Sequence, residues 1–323
     1  MKEYSSLDID RVSIVIPAFN YERYVARAIE SALAQDYEAI EIVVVDDGST
    51  DQTAAIARSY ETSGVRCISQ VNQGLAAARN TGIAKSSGEL LFFLDADDML
   101  EPDSISHLVA DLGQLDGTWG MVACQAKVML PDGSIMTPGG GPKVAGEVVW
   151  KDLMFGSRFP CTVLARRQVF ETCGGFDAGY QRLGCEDRDM WLRIAERYRI
   201  WAVPDRRVVV SFHGDNMSSD PARQLAGIRR CLSKARASRE VPFWNFPFWL
   251  RVGAAYHCTA ALLQSERRSR SKAAYHAILS LLYWPFPGIS KTTGRPPWSR
   301  LLRLGVSLRN LCFAGPSAKG ASL

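Results

Sequence analysis

The sequence predicts an α/β fold, a doubly wound mixed sheet followed by a mostly helical, basic C-terminal extension. Three observations carry that prediction. Residues 12–16, 41–45 and 90–94 are apolar almost throughout, and each run stops abruptly at a polar joint. Uninterrupted runs of this length suit strands buried on both faces, as in a parallel sheet. Between the first two, Val25, Ala28, Ile29, Ala32 and Leu33 recur at helical spacing on one face. Beyond residue 219 the acids nearly vanish while arginines and tryptophans accumulate.

The elements follow in order. The first strand ends at Pro17-Ala18-Phe19-Asn20, a helix spans about 25–33, and the second strand ends at Asp46-Asp47-Gly48-Ser49-Thr50-Asp51. Strand, helix, strand with short polar joints is a βαβ unit, which crosses over right-handedly. Helical patterns cover roughly 53–60 and 74–85, with a strand at 65–69 between them. The run 90–94 stops at Asp95-Ala96-Asp97-Asp98, and a helix begins near Pro102. The first hundred residues therefore read as a Rossmann-like nucleotide-binding half. All its polar loops lie on one edge, in the crevice where open α/β sheets take ligands. A further strand at 119–128 leads into a Pro/Gly-rich excursion including 138–142, and strand character resumes over 159–166. Glu186-Asp187 then opens a helix in which Trp191, Ile194, Ala195 and Tyr198 share one face.

A chain of 323 residues can bury a sizeable core, and an apolar content of 47% suits a soluble enzyme. The first eleven residues show no basic segment leading into an apolar core, so no secretory signal is visible. No stretch reaches the ~18 uninterrupted apolar residues of a spanning helix. The eight cysteines are scattered without a C-x-x-C pair, which predicts reduced core thiols and a cytoplasmic protein. The net charge of +4 hides an asymmetry: residues 1–219 hold 21 Lys and Arg against 31 Asp and Glu, and residues 220–323 hold 17 against 3. We expect a boundary there, with a catalytic domain over 1–219 and a basic, aromatic-rich, mainly helical region over 220–323. Basic charge interleaved with Trp244, Trp249, Trp284 and Trp298 suits either an anionic membrane surface or a solvated helical tail packed along the acidic domain. Nothing resembles a nucleic-acid-binding motif.

Two clusters carry chemistry. Asp95, Asp97 and Asp98 crowd three carboxylates at one strand end, where they repel one another unless a cation compensates. Hard cations such as Mg²⁺ or Mn²⁺ prefer such oxygen ligands. An acidic turn capping the next helix is the alternative for that cluster alone. The second cluster is Gly174-Gly175-Phe176-Asp177 with Glu186-Asp187. The glycine pair permits a close backbone approach, as to a sugar ring. Carboxylates in a first helical turn are also favoured by the helix dipole alone.

Taken together, these segments resemble family 2 glycosyltransferases of the GT-A fold, inverting enzymes that use nucleotide-diphospho-sugars. The resemblance runs from Val12 to about Ser218. It rests on Ile16-Pro17-Ala18-Phe19-Asn20, Val45-Asp46-Asp47-Gly48-Ser49-Thr50-Asp51, and Asn72-Gln73-Gly74 followed by Ala78-Arg79-Asn80-Thr81-Gly82. It continues through Leu94-Asp95-Ala96-Asp97-Asp98, Gly174-Gly175-Phe176-Asp177 and Glu186-Asp187. The resemblance implies that Pro17, Ala18, Phe19 and Asn20 wall the nucleotide base. It implies that Asp46 or Asp47 accepts from base and ribose, and that Asn72, Gly74, Arg79, Asp95 and Asp97 complete the donor site. Asp97 and Asp98 would hold a divalent metal, Mn²⁺ or Mg²⁺, with His213 in reach. Asp187 would be the base, and Gly174, Gly175, Phe176 and Glu186 would face the acceptor. Arg188 departs from the pattern, standing where an aromatic residue often follows the Glu-Asp pair, which bears on the acceptor pocket.

The implied function is inverting transfer from a nucleotide-diphospho-sugar, with UDP the expected donor nucleotide, to a saccharide or lipid-linked acceptor hydroxyl. It implies a part in cell-surface polysaccharide or glycolipid synthesis, in the cytoplasm or at the inner face of the plasma membrane. One rival is a phosphatase-like hydrolase using Asp95 and Asp97, since that pair also follows an apolar strand. That chemistry wants Thr or Val where Met99 stands, and it leaves 17–20 and 174–187 without purpose. A sugar-nucleotide-forming nucleotidyltransferase would want a Gly-rich basic loop after the first strand. A non-catalytic nucleotide-sugar-binding scaffold would not need every acid kept.

Overall fold

The computed structural model describes residues 10–138, 144–155, 162–213, 220–238, 240–266 and 270–283. The N-terminal half of the sheet forms as its apolar runs require. Strand β1 (Val12–Ala18), helix α1 (Val25–Leu33), β2 (Ile40–Asp46), α2 (Thr53–Ser59), β3 (Val65–Ser69), α3 (Leu75–Lys85) and β4 (Leu90–Phe93) follow in order. β1 pairs in parallel with both β2 and β4, and β2 in parallel with β3. The polar joints after β1, β2 and β4 therefore emerge side by side, because parallel neighbours end on the same edge.

Alternation along these strands feeds two apolar layers. Val15, Val43, Val45, Leu91 and Phe93 enter one layer, and Ile14, Ile16, Val44, Leu90 and Phe92 the other. α1 covers the second layer with Val25, Ala28, Ile29 and Ala32, and α3 the first with Ala76 and Ala78. Gly82 of α3 lies directly on Val15; a Cβ there would collide with the valine side chain.

The second half makes the sheet mixed. After β4 come β5 (Met99–Leu100), α4 (Ser104–Gly113), β6 (Trp119–Met129), β7 (Ile135–Met136), β8 (Gly146–Val148), α5 (Trp150–Leu153), β9 (Val163–Arg166), α6 (Arg167–Cys173), α7 (Glu186–Ala195) and β10 (Arg199–Ser211). The strand order is β3-β2-β1-β4-β9-β6-β10-β5, with β7 on β6 and β8 on β10. β9 runs antiparallel to β4 and to β6, whereas β10 runs parallel to β6. The predicted strands at 119–128 and 159–166 correspond to β6 and β9, although 156–161 lie outside the described residues. β10 was not predicted, and its register slips against β6 around Ala202–Val208 explain why: Pro204 and the charges 205–207 break its pattern.

Helices α8 (Pro221–Ala235), α9 (Phe246–Glu266) and α10 (Arg270–Tyr283) close the described chain, as the helical extension predicted. α8 starts on a good cap: the Asp220 carboxylate accepts from the amides of Ala222 and Arg223 at 2.9 and 3.4 Å, with Pro221 next. Cys231, Ala235, Trp249 and Val252 join the same apolar layer as Trp191 and Phe176, so packing is continuous across residue 219. Arg230 and Lys234 pair with Asp177 at 3.1 and 2.9 Å, and Lys234 also with Asp189 at 2.6 Å. Part of the basic charge thus meets the acidic domain. Despite burial, those cations and the Gly179 amide hold the Asp177 carboxyl well below the usual range. Among the described residues no helix is long and apolar enough to cross a membrane.

Candidate active site

One cleft of about 1290 Å³ opens over the edge where β1, β2 and β4 end. Its floor is the β1 loop. Pro17, Ala18, Phe19 and Asn20 line it, with the Phe19 ring 42% exposed and so available for stacking. Asn20 adopts a left-handed conformation (φ 59°), which asparagine tolerates, and its Oδ1 accepts from the Thr50 amide at 2.8 Å. That bond ties the β1 loop to the β2 loop.

Asp46 and Asp47 differ in place. Asp46 is buried, turned to the Ser49 amide at 3.1 Å, and does not reach the cleft. Asp47 lines it, but Oδ1 accepts from Gln70 Nε2 at 2.7 Å and from the Gln73 amide at 2.9 Å, and Oδ2 from the Gly74 amide at 2.7 Å. Its carboxylate organises the 70–74 loop and so positions Asn72 and Gly74, which also line the cleft. Gly74 takes φ +89°, where a side chain would strain the turn.

Arg79 sits almost fully buried in the wall. Its guanidinium forks to Asp95 Oδ1 and Glu186 Oε1, both at 2.7 Å, over the Phe176 ring at 5.3 Å. It therefore couples the end of β4 to α7 and stands between two carboxylates that would otherwise repel. Charge-assisted bonds of this kind are the strong ones.

Beyond Asp95 lie Asp97 and Asp98. Burial and the neighbouring carboxylates push both above the usual carboxylate range. The Ser211 amide donates to Asp98 Oδ1 at 2.9 Å, and His213 Nε2 lies 3.0 Å from Asp97 Oδ2. His213 stacks on Tyr24 with centroids 4.5 Å apart. Arg27 reaches from α1 to the Asp97 carbonyl at 3.1 Å and Ser211 Oγ at 2.7 Å. Tyr21 completes this corner, its hydroxyl pushed up by burial and by the acids. Buried carboxylates crowded together are what a hard divalent cation would relieve. Among the described residues no three His, Cys, Asp or Glu side chains already converge on one point. Asp97 and Asp98, with His213 beside Asp97, fit a cation only as part of an open shell that ligand oxygens would complete, the habit of Mg²⁺ with phosphates. The rest of the His213 loop, 214–219, lies outside the described residues.

Asp187 stands across the cleft at the start of α7. The left-handed Cys185 (φ 75°) turns the chain into the helix, and the Arg188 amide donates to Asp187 Oδ1 at 2.6 Å. Burial first, then the Glu186 charge, push Asp187 up to about 6, against the pull of Arg79. A carboxylate so poised is ionised at neutral pH yet basic enough to take a proton. Arg188 lines the same wall, but its Nε donates to the Leu153 carbonyl at 2.8 Å, fastening α7 to α5.

The structure does not bring Gly174, Gly175 and Phe176 to the cleft, contrary to their expected acceptor role. The Asn80 side chain brackets Phe176, accepting from its amide at 2.7 Å and donating to its carbonyl at 2.8 Å. The Gly175 Cα lies against Asn80, where a Cβ would clash, so the glycine makes room for α3. The Phe176 ring is core, packed on Phe93 and Trp191. Sequence reasoning also missed one wall of the cleft: Arg223, Gln224 and Ile228 of α8, and Val252 and Tyr256 of α9. The sequence predicted a mainly helical region there; nothing local said which surface its helices cover.

Similarity to known proteins converges on this arrangement. The sequence profile described as "Glycosyl transferase family 2" matches residues 13–125, which hold both the Pro17–Asn20 loop and the Asp95–Asp98 cluster. An uncharacterised glycosyltransferase of Nostoc sp. is 35% identical over 274 residues, 81% of this chain and 71% of that protein. The chain belongs to glycosyltransferase family 2. Solved structures agree on the fold of this glycosyltransferase. S. aureus TarS 1-349 in complex with UDP-GlcNAc aligns with TM-score 0.56 at 19% identity, covering 85% of this chain and 89% of that one. Mannosyltransferase PcManGT from Pyrobaculum calidifontis, in complex with GDP-Man and Mn²⁺, aligns with TM-score 0.59 at 20% identity, covering 93% and 80%.

Proposed function

We propose that this glycosyltransferase moves a sugar from a UDP-linked donor to an acceptor hydroxyl with inversion at the anomeric carbon. The observation that carries the reading is one cleft with a stacking wall at Phe19, a crowded acidic corner at Asp97 and Asp98, and a base tuned to about 6 at Asp187. The donor nucleotide lies along the β1 loop, its base on Phe19 and its ribose toward the 72–74 loop. Its diphosphate faces Asp97, Asp98 and His213. A divalent cation held there would supply charge neutralisation on the departing nucleotide. The complexes of TarS with UDP-GlcNAc and of PcManGT with GDP-Man and Mn²⁺ support both the donor class and the metal.

Asp187 then receives the acceptor proton as that oxygen attacks from the face opposite the nucleotide, which inverts the centre without a covalent intermediate. The neighbouring Glu186, ion-paired to Arg79, helps to keep Asp187 basic. The acceptor is a saccharide or lipid-linked saccharide of cell-surface polysaccharide or glycolipid, reached from the cytoplasmic face of an anionic membrane. The test is a panel of UDP-, GDP- and dTDP-sugars scored by thermal stabilisation with and without Mn²⁺. Stabilisation by UDP-sugars, lost with EDTA, is expected; equal response to all three nucleotides without metal would overturn the donor and metal assignments.

A further inference from the structure

The C-terminal hairpin carries an apolar surface that the catalytic cleft does not use. α9 and α10 run antiparallel: Ser280 Oγ donates to the Ala254 carbonyl at 2.9 Å, and the Tyr283 ring rests on Gly253. α10 therefore ends beside Gly253, while α9 continues one and two turns further back to Leu250 and Phe246. These two are 43% and 67% exposed, and Phe243 and Trp244, just before α9, are 75% and 64% exposed. Phe243 and Trp244 meet edge to face at 5.1 Å, so the aromatics form a cluster. Leu282, 72% exposed, stands at the same end of the hairpin. The outer face of α10 carries the surface on through Ile278 and Tyr275 at helical spacing, with exposed Lys272 beyond. The inner face of the same hairpin is satisfied, with Trp249 and Val252 in the catalytic core.

Cations lie close to this patch through Trp249, whose Nε1 donates to the carbonyl of Pro242, the residue before Phe243, at 3.1 Å. Arg236 lies over the Trp249 ring at 5.6 Å, and Arg251 follows Leu250; both are exposed. They belong to the region with 17 basic residues against 3 acidic ones. Arg230 and Lys234 face inward to Asp177 and Asp189, whereas Arg236 and Arg251 stay exposed, Arg251 over the Phe155 ring at 5.5 Å.

We propose that this face lies in the interface of an anionic bilayer, with Phe243, Trp244, Phe246 and Leu250 entering the headgroup boundary and Arg236 and Arg251 meeting acidic headgroups. Exposed tryptophan and phenylalanine flanked by arginine match that environment, apolar on one side and negatively charged on the other. A second copy meeting it with the same face would bring the same positive charge to the contact. Attachment in the plane of the surface needs no spanning helix, and none exists among the described residues. The inference rests on the glycosyltransfer reading only for its consequence, that a lipid-linked acceptor would be within reach of the cleft.

The test is co-sedimentation of the full chain, and of a Trp244→Ser/Phe246→Ser variant, with vesicles of phosphatidylglycerol mixed with phosphatidylcholine and with phosphatidylcholine alone, at low and high salt. The full chain should bind the anionic vesicles at low salt, weaken as salt screens the arginines, and bind neutral vesicles poorly. The variant should lose roughly tenfold or more in partitioning, because two large apolar side chains no longer enter the interface. Equal partitioning of variant and parent overturns the proposal, as does no binding by the parent. A dimer seen by sedimentation velocity and lost in the variant would also overturn it, in favour of a second copy as the occupant. UDP-induced thermal stabilisation, measured on both chains, reports the donor site separately, so loss of membrane binding and failure of the donor reading cannot be confused.

Discussion

Replacing Asp187 with Asn is the sharpest test of the proposed chemistry. The substitution keeps size and most hydrogen bonding but removes the ability to take a proton. Donor binding should survive, while kcat falls by roughly 10²–10⁴-fold, the usual worth of a positioned base. The structure adds two signatures. Because the carboxyl is pushed to about 6, the parent kcat/KM should rise with pH through about 6, and the Asn variant should lack that limb. The second signature is stability. A rise from 3.8 to about 6 is worth about 3 kcal/mol at 1.36 kcal/mol per tenfold change, and water in the cleft screens that to about 1–2 kcal/mol. The folded carboxyl is harder to ionise than the unfolded one, so this cost is fully present above about pH 6. It fades as pH falls toward the ordinary carboxylate value, where both states are protonated. The Asn variant should therefore melt above the parent at pH 8 and level with it near pH 4. Steady-state kinetics with calorimetry decide the matter. Unchanged kcat, or collapsed donor affinity with unchanged turnover of bound donor, would refute the role of Asp187 as base.

Further outcomes follow from the same geometry. Asp98→Ala, and less completely Asp97→Ala, should abolish transfer and Mn²⁺-dependent stabilisation by the donor nucleotide; full activity of Asp98→Ala in EDTA-treated buffer would sink the metal reading. Arg79→Met should destabilise the fold by about 2–4 kcal/mol, because it strands Glu186 and partly exposed Asp95 without their shared cation. Chemical denaturation measures this, and an unchanged midpoint would show that Arg79 serves only the ligand. Gly227→Ala on α8 should cost about 1–3 kcal/mol, since the added Cβ runs into the Gly184 carbonyl of the loop leading to Asp187. A variant as stable and active as the parent would mean that α8 does not brace that loop.

Much of this protein was legible in its residues. Buried parallel strands must be apolar on both faces, so 12–16, 41–45 and 90–94 announced β1, β2 and β4. Parallel neighbours end on one edge, so the positions of Phe19, Asn72, Asp97 and Asp98 on one cleft followed without coordinates. Asp187 at a helix start was also readable, since first-turn acids have a physical reason to be there. The tertiary structure alone decided the rest, because those contacts join residues far apart in the chain. Gly175 looked like a site for a sugar, and it is the Asn80 side chain that fills the space. Asp47 looked like a ligand for the base, and three donors of the 70–74 loop occupy its oxygens. The Arg79 fork to Asp95 and Glu186 spans 16 and 107 residues, and the cleft wall from α8 and α9 more than 200. Periodicity states that a helix has a buried face; only the folded chain states what that face is buried against.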